Sequence, residues 1–427
     1  MNQKIHSFRS FLDGCHSPYH AVAALARELE SRGYAPLAES AAWSLTPGGK
    51  YYLTRGGSAI LAFRIPECAP AGFMMSASHC DYPTFLVKEN GELAGKYTRL
   101  ATEKYGGMLI APWLDRPLSV AGRVMVQTQQ GIESRLVDID RDLMLIPNVA
   151  IHLNRGVNDG YKWNPAVDTL PLLGGPDAAG KLDALLEEAA GGKILGHDLY
   201  LYLRQKSTVW GLEEEYISGQ GLDDLACVWG CAQGFLAAKD SEAIPVLCVM
   251  NHEEVGSATP QGAGSDLLAD TLKRICEVLD LDRERMLSQS FLVSADNAQA
   301  LNPNHPELSD GSNAPVLNGG VAVKFNASRR YTTDGFSAAV LRKLCDDVQL
   351  PLQTFYNRAD MPGGSTLGCV SVSHVAVNSV DIGIPQLAMH SCYETIGVHD
   401  LLQLETMMTH LYGSTLKMPQ DGICCLK

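Results

Sequence analysis

Ile244-Pro245-Val246-Leu247-Cys248-Val249-Met250 runs without a break into Asn251-His252-Glu253-Glu254-Val255-Gly256-Ser257. The first half is a short, continuous apolar segment of the kind that forms a strand buried on both faces. The second half opens with an amide, an imidazole and two adjacent carboxylates. A Glu-Glu pair is ordinarily solvated surface. Placed directly after a buried strand and before Val-Gly-Ser, this pair has a different setting. The same pattern recurs elsewhere in the chain. Gly72-Phe73-Met74-Met75-Ser76-Ala77 ends in Ser78-His79-Cys80-Asp81, and Phe291–Ala295 ends in Asp296-Asn297. The run from Asp381 to Met389, read as a further buried strand, leads into His390-Ser391.

Helical spacing separates these strands. Val22, Leu25 and Leu29 define a helix over 19–33 with Gly33 as its stop, and further helices are expected over 224–238, 266–280, 335–348 and 400–416. Short β-rich runs, Lys50–Leu53 and Ala59–Phe63, precede the first buried strand. Buried strands alternating with helices predict an α/β fold, a mixed central sheet flanked by helices. Between 86 and 215 the texture changes to alternating strands such as Leu118–Gln127 and Arg135–Ile139, broken by Gly, Pro and Asp turns, with one helix near 178–190. The expected organisation is therefore one discontinuous unit, 1–85 with 216–427, interrupted by a mostly β insert over 86–215.

Composition narrows the class. The chain has 427 residues, 46% hydrophobic and 19% charged, which suits a well-cored globular protein. The formal net charge of −14, with no Lys/Arg run, argues against nucleic acid as a partner. No segment approaches the roughly 20 consecutive apolar residues of a membrane helix, and the start, Met1 to His6, has no apolar signal core behind it. The expectation is a cytoplasmic protein that engages no membrane. Its 12 scattered cysteines include no CxxC pair, and Cys227 and Cys231 fall on neighbouring turns of one helix, so reduced core thiols are expected.

In an open α/β sheet, ligands bind at the carboxyl ends of the strands. Here those ends deliver two histidines and several carboxylates, a set that suits zinc and also admits cobalt or manganese. An isolated histidine after an apolar run is more often a hydrogen-bonded structural residue. Several such coincidences at strand ends favour a metal site. Adjacent glutamates fit this chemistry, because neighbouring side chains point in different directions. One carboxylate can ligate metal while the other faces a metal-activated water as general base. His79-x-Asp81 follows the same logic, since a ligating imidazole commonly donates its second ring N–H to a fixed carboxylate.

These residues resemble the aspartyl aminopeptidases, a family within the di-zinc exopeptidase clan. The matching segments span nearly the whole chain: Ser17–Val22, His79-x-Asp81, Asp115–Leu118, Ile146–Arg155, Gly221–Leu225, Glu253–Ser257, Ser294–Asp296, Lys324-x-Asn326 with Arg330-Tyr331, and Pro385–Ser391. The resemblance implies two Zn2+ per subunit. Asp223 would bridge the ions, His79 and Asp296 would complete one site, and Glu254 and His390 the other. Glu253 would be the general base and Asp81 would orient His79. Spacing alone does not choose Asp223 over Asp224, and Asp223 also reads as a helix N-cap. The resemblance further implies that the insert forms dimers that assemble into a dodecamer. His152 would then reach a neighbouring subunit's site, Lys324 would pair with an acidic substrate side chain, and Tyr331 would lie near the substrate. Met361–Thr366 matches a loop lining the pocket.

Two positions depart from the family pattern. Asn251 stands where Asp is usual, and Gly221 stands where Arg is common. The expected activity is hydrolysis of N-terminal, preferably acidic, residues from peptides with a free N-terminus. A broad aminopeptidase or deacylase on the same scaffold remains open, as does a non-catalytic assembly protein that retains the fold. Requirement for a free substrate amine separates an aminopeptidase from a deacylase, and turnover of Asp, Glu and Leu substrates separates acidic from broad specificity. Metal content with peptide turnover separates the non-catalytic reading.

Overall fold

A computed structural model describes residues 3–364 and 366–427. Its centre is a nine-stranded mixed sheet. From one edge the order is Ala35–Pro36, Lys50–Arg55, Ala59–Arg64, Ile244–Met250, Phe73–His79, Phe291–Ala295, Asn378–Gly383, Val321–Phe325 and Leu352–Tyr356. The four middle strands are parallel, with Met250 beside His79 and Ser294 beside both Ala77 and Asp381. Phe73–His79 comes first in the chain yet lies between the next two, so the connections leave it in opposite directions. Such a switch point opens a crevice at the carboxyl edge.

Side-chain alternation along these strands feeds two cores. In Ile244–Met250, Leu247 and Val249 face one layer, while Ile244, Val246, Cys248 and Met250 face the other. The first layer is covered by helices Pro18–Ser31, Leu222–Ala237, Gly335–Asp347 and Val398–Tyr412. The second is covered by Leu267–Val278, Arg283–Ser288 and Leu367–His374. The expected helices are present with slightly shifted ends. Cys227 and Cys231 lie fully buried on successive turns of Leu222–Ala237.

A six-stranded antiparallel sheet made from Thr84–Leu93, Thr98–Tyr105, Leu118–Thr128, Gly131–Asp138, Leu172–Gly174 and Ile194–Leu203 has a separate core. Phe85, Trp113, Val120 and Leu199 lie at its centre, with Leu182 and Leu186 packed over it from helix Lys181–Ala190. Thr208–Trp210 belongs elsewhere: it pairs with Tyr216–Gly219 in a five-stranded sheet beside the central one.

That smaller sheet corrects one expectation. The run from Asp381 to Met389 is not a single strand. Asn378–Gly383 ends in the central sheet, and after Ile384 the chain enters the five-stranded sheet as Pro385–Leu387. An unbroken apolar run carries no mark of which sheet each half joins. His390 therefore reaches the crevice from a neighbouring sheet. Gly383 makes the change of sheet possible, because a Cβ there would sit 2.2 Å from the carbonyl oxygen of Asp296. Gly383→Ala should cost about 1–3 kcal/mol in chemical denaturation, the usual penalty for overpacking. Gly311→Ala, where a Cβ meets open space, should stay within about 0.5 kcal/mol of the parent. Equal stabilities for the two variants would refute the steric account.

Candidate active site

The crevice at the carboxyl edge gathers side chains from distant parts of the sequence. His79 is the last residue of its strand and is almost completely buried. Asp223 opens helix Leu222–Ala237, where its backbone (φ −86°, ψ 104°) departs from helical values. This non-helical entry, at Asp223 and Asp224, aims the two aspartates differently. The carboxylate of Asp224 accepts the His79 main-chain N–H at 3.2 Å. The carboxylate of Asp223 faces the crevice, with Oδ1 3.5 Å from His79 Nε2 and Oδ2 3.8 Å from His390 Nε2. His390 Nε2 is also 3.4 Å from a Glu254 carboxylate oxygen.

Two triads result, His79–Asp223–Asp296 and Asp223–Glu254–His390, with the donor atoms of each within 4.8 Å of one another. Asp223 belongs to both. Its Oδ1 is buried and has no hydrogen-bond donor among the described residues, an arrangement that is costly unless something else satisfies that oxygen. A cation would. Imidazole nitrogens and carboxylate oxygens are the donors zinc takes, so the residues present fit a metal pair.

Electrostatics points the same way. Two like charges about 4 Å apart repel by about 4 kcal/mol at an effective dielectric near 20, and this crevice holds several carboxylates. Burial pushes Glu253 up to about 8; His79 opposes the rise, while Asp296, Asp81 and Asp223 reinforce it. Burial and the Asp223 charge raise Glu254 well above the ordinary carboxyl range. Burial also raises Asp296, although the Lys324 ammonium, 3.5 Å away, pulls it down. Burial opposes a charge on His79, yet the Asp223 and Asp81 carboxylates, each with an oxygen 3.5 Å from a ring nitrogen, lift it well above the usual imidazole value. The cluster is short of positive charge, and protons or metal ions would compete to supply it.

Supporting contacts fix the backbone around these groups. The main-chain carbonyl of Asp81 accepts the His79 Nδ1 hydrogen at 3.0 Å, which leaves Nε2 facing Asp223; the Asp81 carboxylate is farther away, at 3.5 Å. That carboxylate instead accepts the N–H groups of Glu253 and Glu254, at 3.1 and 3.2 Å, and the Tyr105 hydroxyl at 2.7 Å. Glu394, 1% exposed, accepts the N–H of Asp223 at 3.1 Å through one oxygen and that of His390 at 2.7 Å through the other. Nothing in the local sequence around Glu394 or Tyr105 signals these contacts, because their partners are main-chain or distant groups.

The crevice also collects Lys324 and Tyr331, with the ammonium 5.4 Å above the tyrosine ring. Lys324 is 3% exposed. Burial works against its charge, but Asp296, Tyr331, Asp381 and Asp223 together outweigh that effect and hold its pKa above the ordinary lysine value. Gly364 and Thr366 line the same crevice, whereas Ser365 of the Met361–Thr366 stretch lies outside the described residues. His152 lies in an exposed turn of the insert and is not among the lining side chains. Of the two departures, Asn251 is buried and its side-chain oxygen accepts the His252 N–H at 2.8 Å, and Gly221 packs against the ring of Tyr82.

Comparison with known proteins agrees with this site. The family described as "Aminopeptidase I zinc metalloprotease (M18)" matches residues 11–412. A "Probable M18 family aminopeptidase 2" of Clostridium novyi is 42% identical over 432 aligned positions, covering 97% of this chain and 98% of its own. Its namesake in Clostridium acetobutylicum is 40% identical, covering 93% and 95%. Among solved structures, a chain of the Ape4 and Nbr1 complex superposes with a TM-score of 0.93 at 32% identity, covering 96% of this chain and 85% of that one. Chaetomium thermophilum mApe1 superposes with a TM-score of 0.86 at 28% identity, covering 95% and 96%. Matched over nearly its whole length, the chain belongs to the M18 family of zinc metalloproteases and is an aminopeptidase of that family.

Proposed function

We propose that this M18 aminopeptidase binds two zinc ions and removes acidic residues from peptide N-termini. The observation that carries the reading is the sharing of Asp223 between two triads, one completed by His79 and Asp296, the other by Glu254 and His390. Zinc bound at such a site acts as a Lewis acid that makes water nucleophilic near neutral pH. Glu253 lines the crevice beside both triads, and among the described residues its carboxylate makes no hydrogen bond. It is therefore available to take a proton from the attacking water and to pass it to the departing amine. Its adjacent partner, Glu254, is held in the second triad.

Lys324 supports the acidic preference. Its ammonium lies in the crevice wall, where little water competes for it, so a substrate carboxylate would meet a poorly screened positive charge. Tyr331 lies beneath that ammonium and forms part of the same pocket. The substrate's free amine would sit among the remaining carboxylates, which makes the enzyme exo-acting.

The insert over 86–215 is proposed to be the dimerisation unit. Val149, Ile151 and Leu153 are exposed around His152, an apolar turn suited to burial against another subunit. His152 would thereby enter the neighbour's crevice and help stabilise negative charge on the substrate carbonyl oxygen. One structural relative is the Saccharomyces mApe1 dodecamer, with a TM-score of 0.85 at 25% identity, and a dodecamer is the proposed assembly here. Among the described residues no helix is long and apolar enough to cross a membrane.

Three results test these assignments. Glu253→Gln should lower kcat by about 10²–10⁴-fold, the usual contribution of general base catalysis, with zinc content unchanged by elemental analysis; a fully active variant would remove Glu253 from the mechanism. Lys324→Met should lower kcat/KM for Asp- and Glu-peptides at least about tenfold relative to Leu-peptides, in line with the loss of a charge-assisted contact; an unchanged ratio would leave the acidic preference without its residue. Removal of metal by a chelator should abolish turnover and lower the thermal midpoint, and zinc should restore both.

A further inference from the structure

The inserted sheet touches the crevice of its own subunit, a separate matter from any role in assembly. The chain leaves the central sheet at His79, passes through Asp81 and enters the insert at Thr84. The first hairpin of the insert then returns it to the same place, because Thr84 pairs with Tyr105. This register brings the end of strand Thr98–Tyr105 back over Asp81. The Tyr105 hydroxyl donates to Asp81 Oδ2 at 2.7 Å. Both groups are buried, and the ring is held edge-on against Tyr200 with centroids 5.8 Å apart.

Asp81 passes this contact on. Its two oxygens accept the consecutive N–H groups of Glu253 and Glu254, so one carboxylate sets the backbone from which both glutamates project. The residues after Tyr105 brace the other side of the crevice. Gly106 has φ +76°, and a Cβ there would lie 3.2 Å from Glu254 Cβ, leaving little room for a side chain. The Gly107 carbonyl accepts the His390 Nδ1 hydrogen, and Leu109 N–H donates to the His390 carbonyl at 3.0 Å. Tyr105 to Leu109 thus reaches both the Glu253–Glu254 turn and His390.

We infer that Tyr105, supplied by the insert within the same chain, is a positioning residue for hydrolysis: through Asp81 it fixes the Glu253–Glu254 turn and so aims the general base. The inference rests on the assignment of Glu253 above. A hydrogen bond to a buried carboxylate that itself holds two main-chain N–H groups restricts where that carboxylate can rotate. Without the hydroxyl, Asp81 keeps its charge, its main-chain partners and its 3.5 Å contact with His79 but loses a side-chain donor anchored in the insert, outside the turn it supports.

The test is a double-mutant cycle on the full-length, zinc-replete enzyme with Tyr105→Phe and Asp81→Asn. Phenylalanine preserves the packing against Tyr200 and removes only the hydroxyl. Tyr105→Phe is expected to lower kcat by about tenfold, the scale on which partners of metal-site residues act. KM should stay within about twofold, with zinc stoichiometry and thermal midpoint at parental values. In the Asp81→Asn background the same replacement should change kcat less than about twofold, since residues acting through one contact are not additive. Equal factors in both backgrounds, a parental kcat for Tyr105→Phe, or a loss that follows zinc content or thermal midpoint would overturn the inference. An inactive Glu253→Gln enzyme beside an unaffected Tyr105→Phe enzyme would sink the positioning role alone. An active Glu253→Gln enzyme would sink the assignment beneath it.

Discussion

Negative charge concentrated at the carboxyl edge of a buried sheet is the constraint around which this protein is built. Asp223, Glu254, Asp296, Glu253 and Asp81 lie together where water cannot fully screen them, and the basic side chains beside them in the crevice are His79, His390 and Lys324. Other parts of the fold serve that crowding. Four parallel strands end at the same level, a non-helical turn splits Asp223 from Asp224, and Glu394 ties the main chains of Asp223 and His390 together. Backbone N–H groups answer part of the charge on Asp81. The rest is the charge that the proposed pair of zinc ions would answer.

Much of this was legible in the sequence wherever chemistry and pattern coincide. His79, Glu253, Glu254 and Asp296 each follow an apolar run, so a reader who sees buried strands also sees what their ends carry. Asp223 is different. It begins a helix, and only its departure from helical backbone turns it toward the crevice; the family resemblance singled it out where spacing did not. His390 was placed at the end of a buried strand, but the run before it divides between two sheets at Gly383. Apolar character reports burial and says nothing about which partner strand does the burying.

Tyr105 and Glu394 were illegible for a deeper reason. Each acts on groups far away in the chain, Tyr105 through a hairpin register and Glu394 through main-chain N–H groups that any residue would offer. A tyrosine ending an alternating strand looks like any other. The hydrogen bond to Asp81 exists only because Thr84 and Tyr105 are opposite each other, and one step of slippage would turn the hydroxyl to the other face. Lys324 lies between these extremes. The family resemblance suggested substrate contact where the residue alone read as an ordinary surface lysine, and its 3% exposure came only from the folded structure.

The placement of the insert has a kinetic consequence during synthesis. Phe73–His79 and Ile244–Met250 are immediate neighbours in the sheet, yet the whole antiparallel unit is made between them. While the ribosome extends the chain, the first of these strands must wait with its edge unpaired, a state prone to aberrant association. The insert, whose six strands all lie within 84–203, can form during that wait. Of the five proposed ligands His390 is the last to emerge, so on the proposed reading the cation site stays incomplete until residue 390 has been translated. Metal capture at the proposed site would wait for that residue, and long-range strand pairing of this sort makes slow folding the expectation.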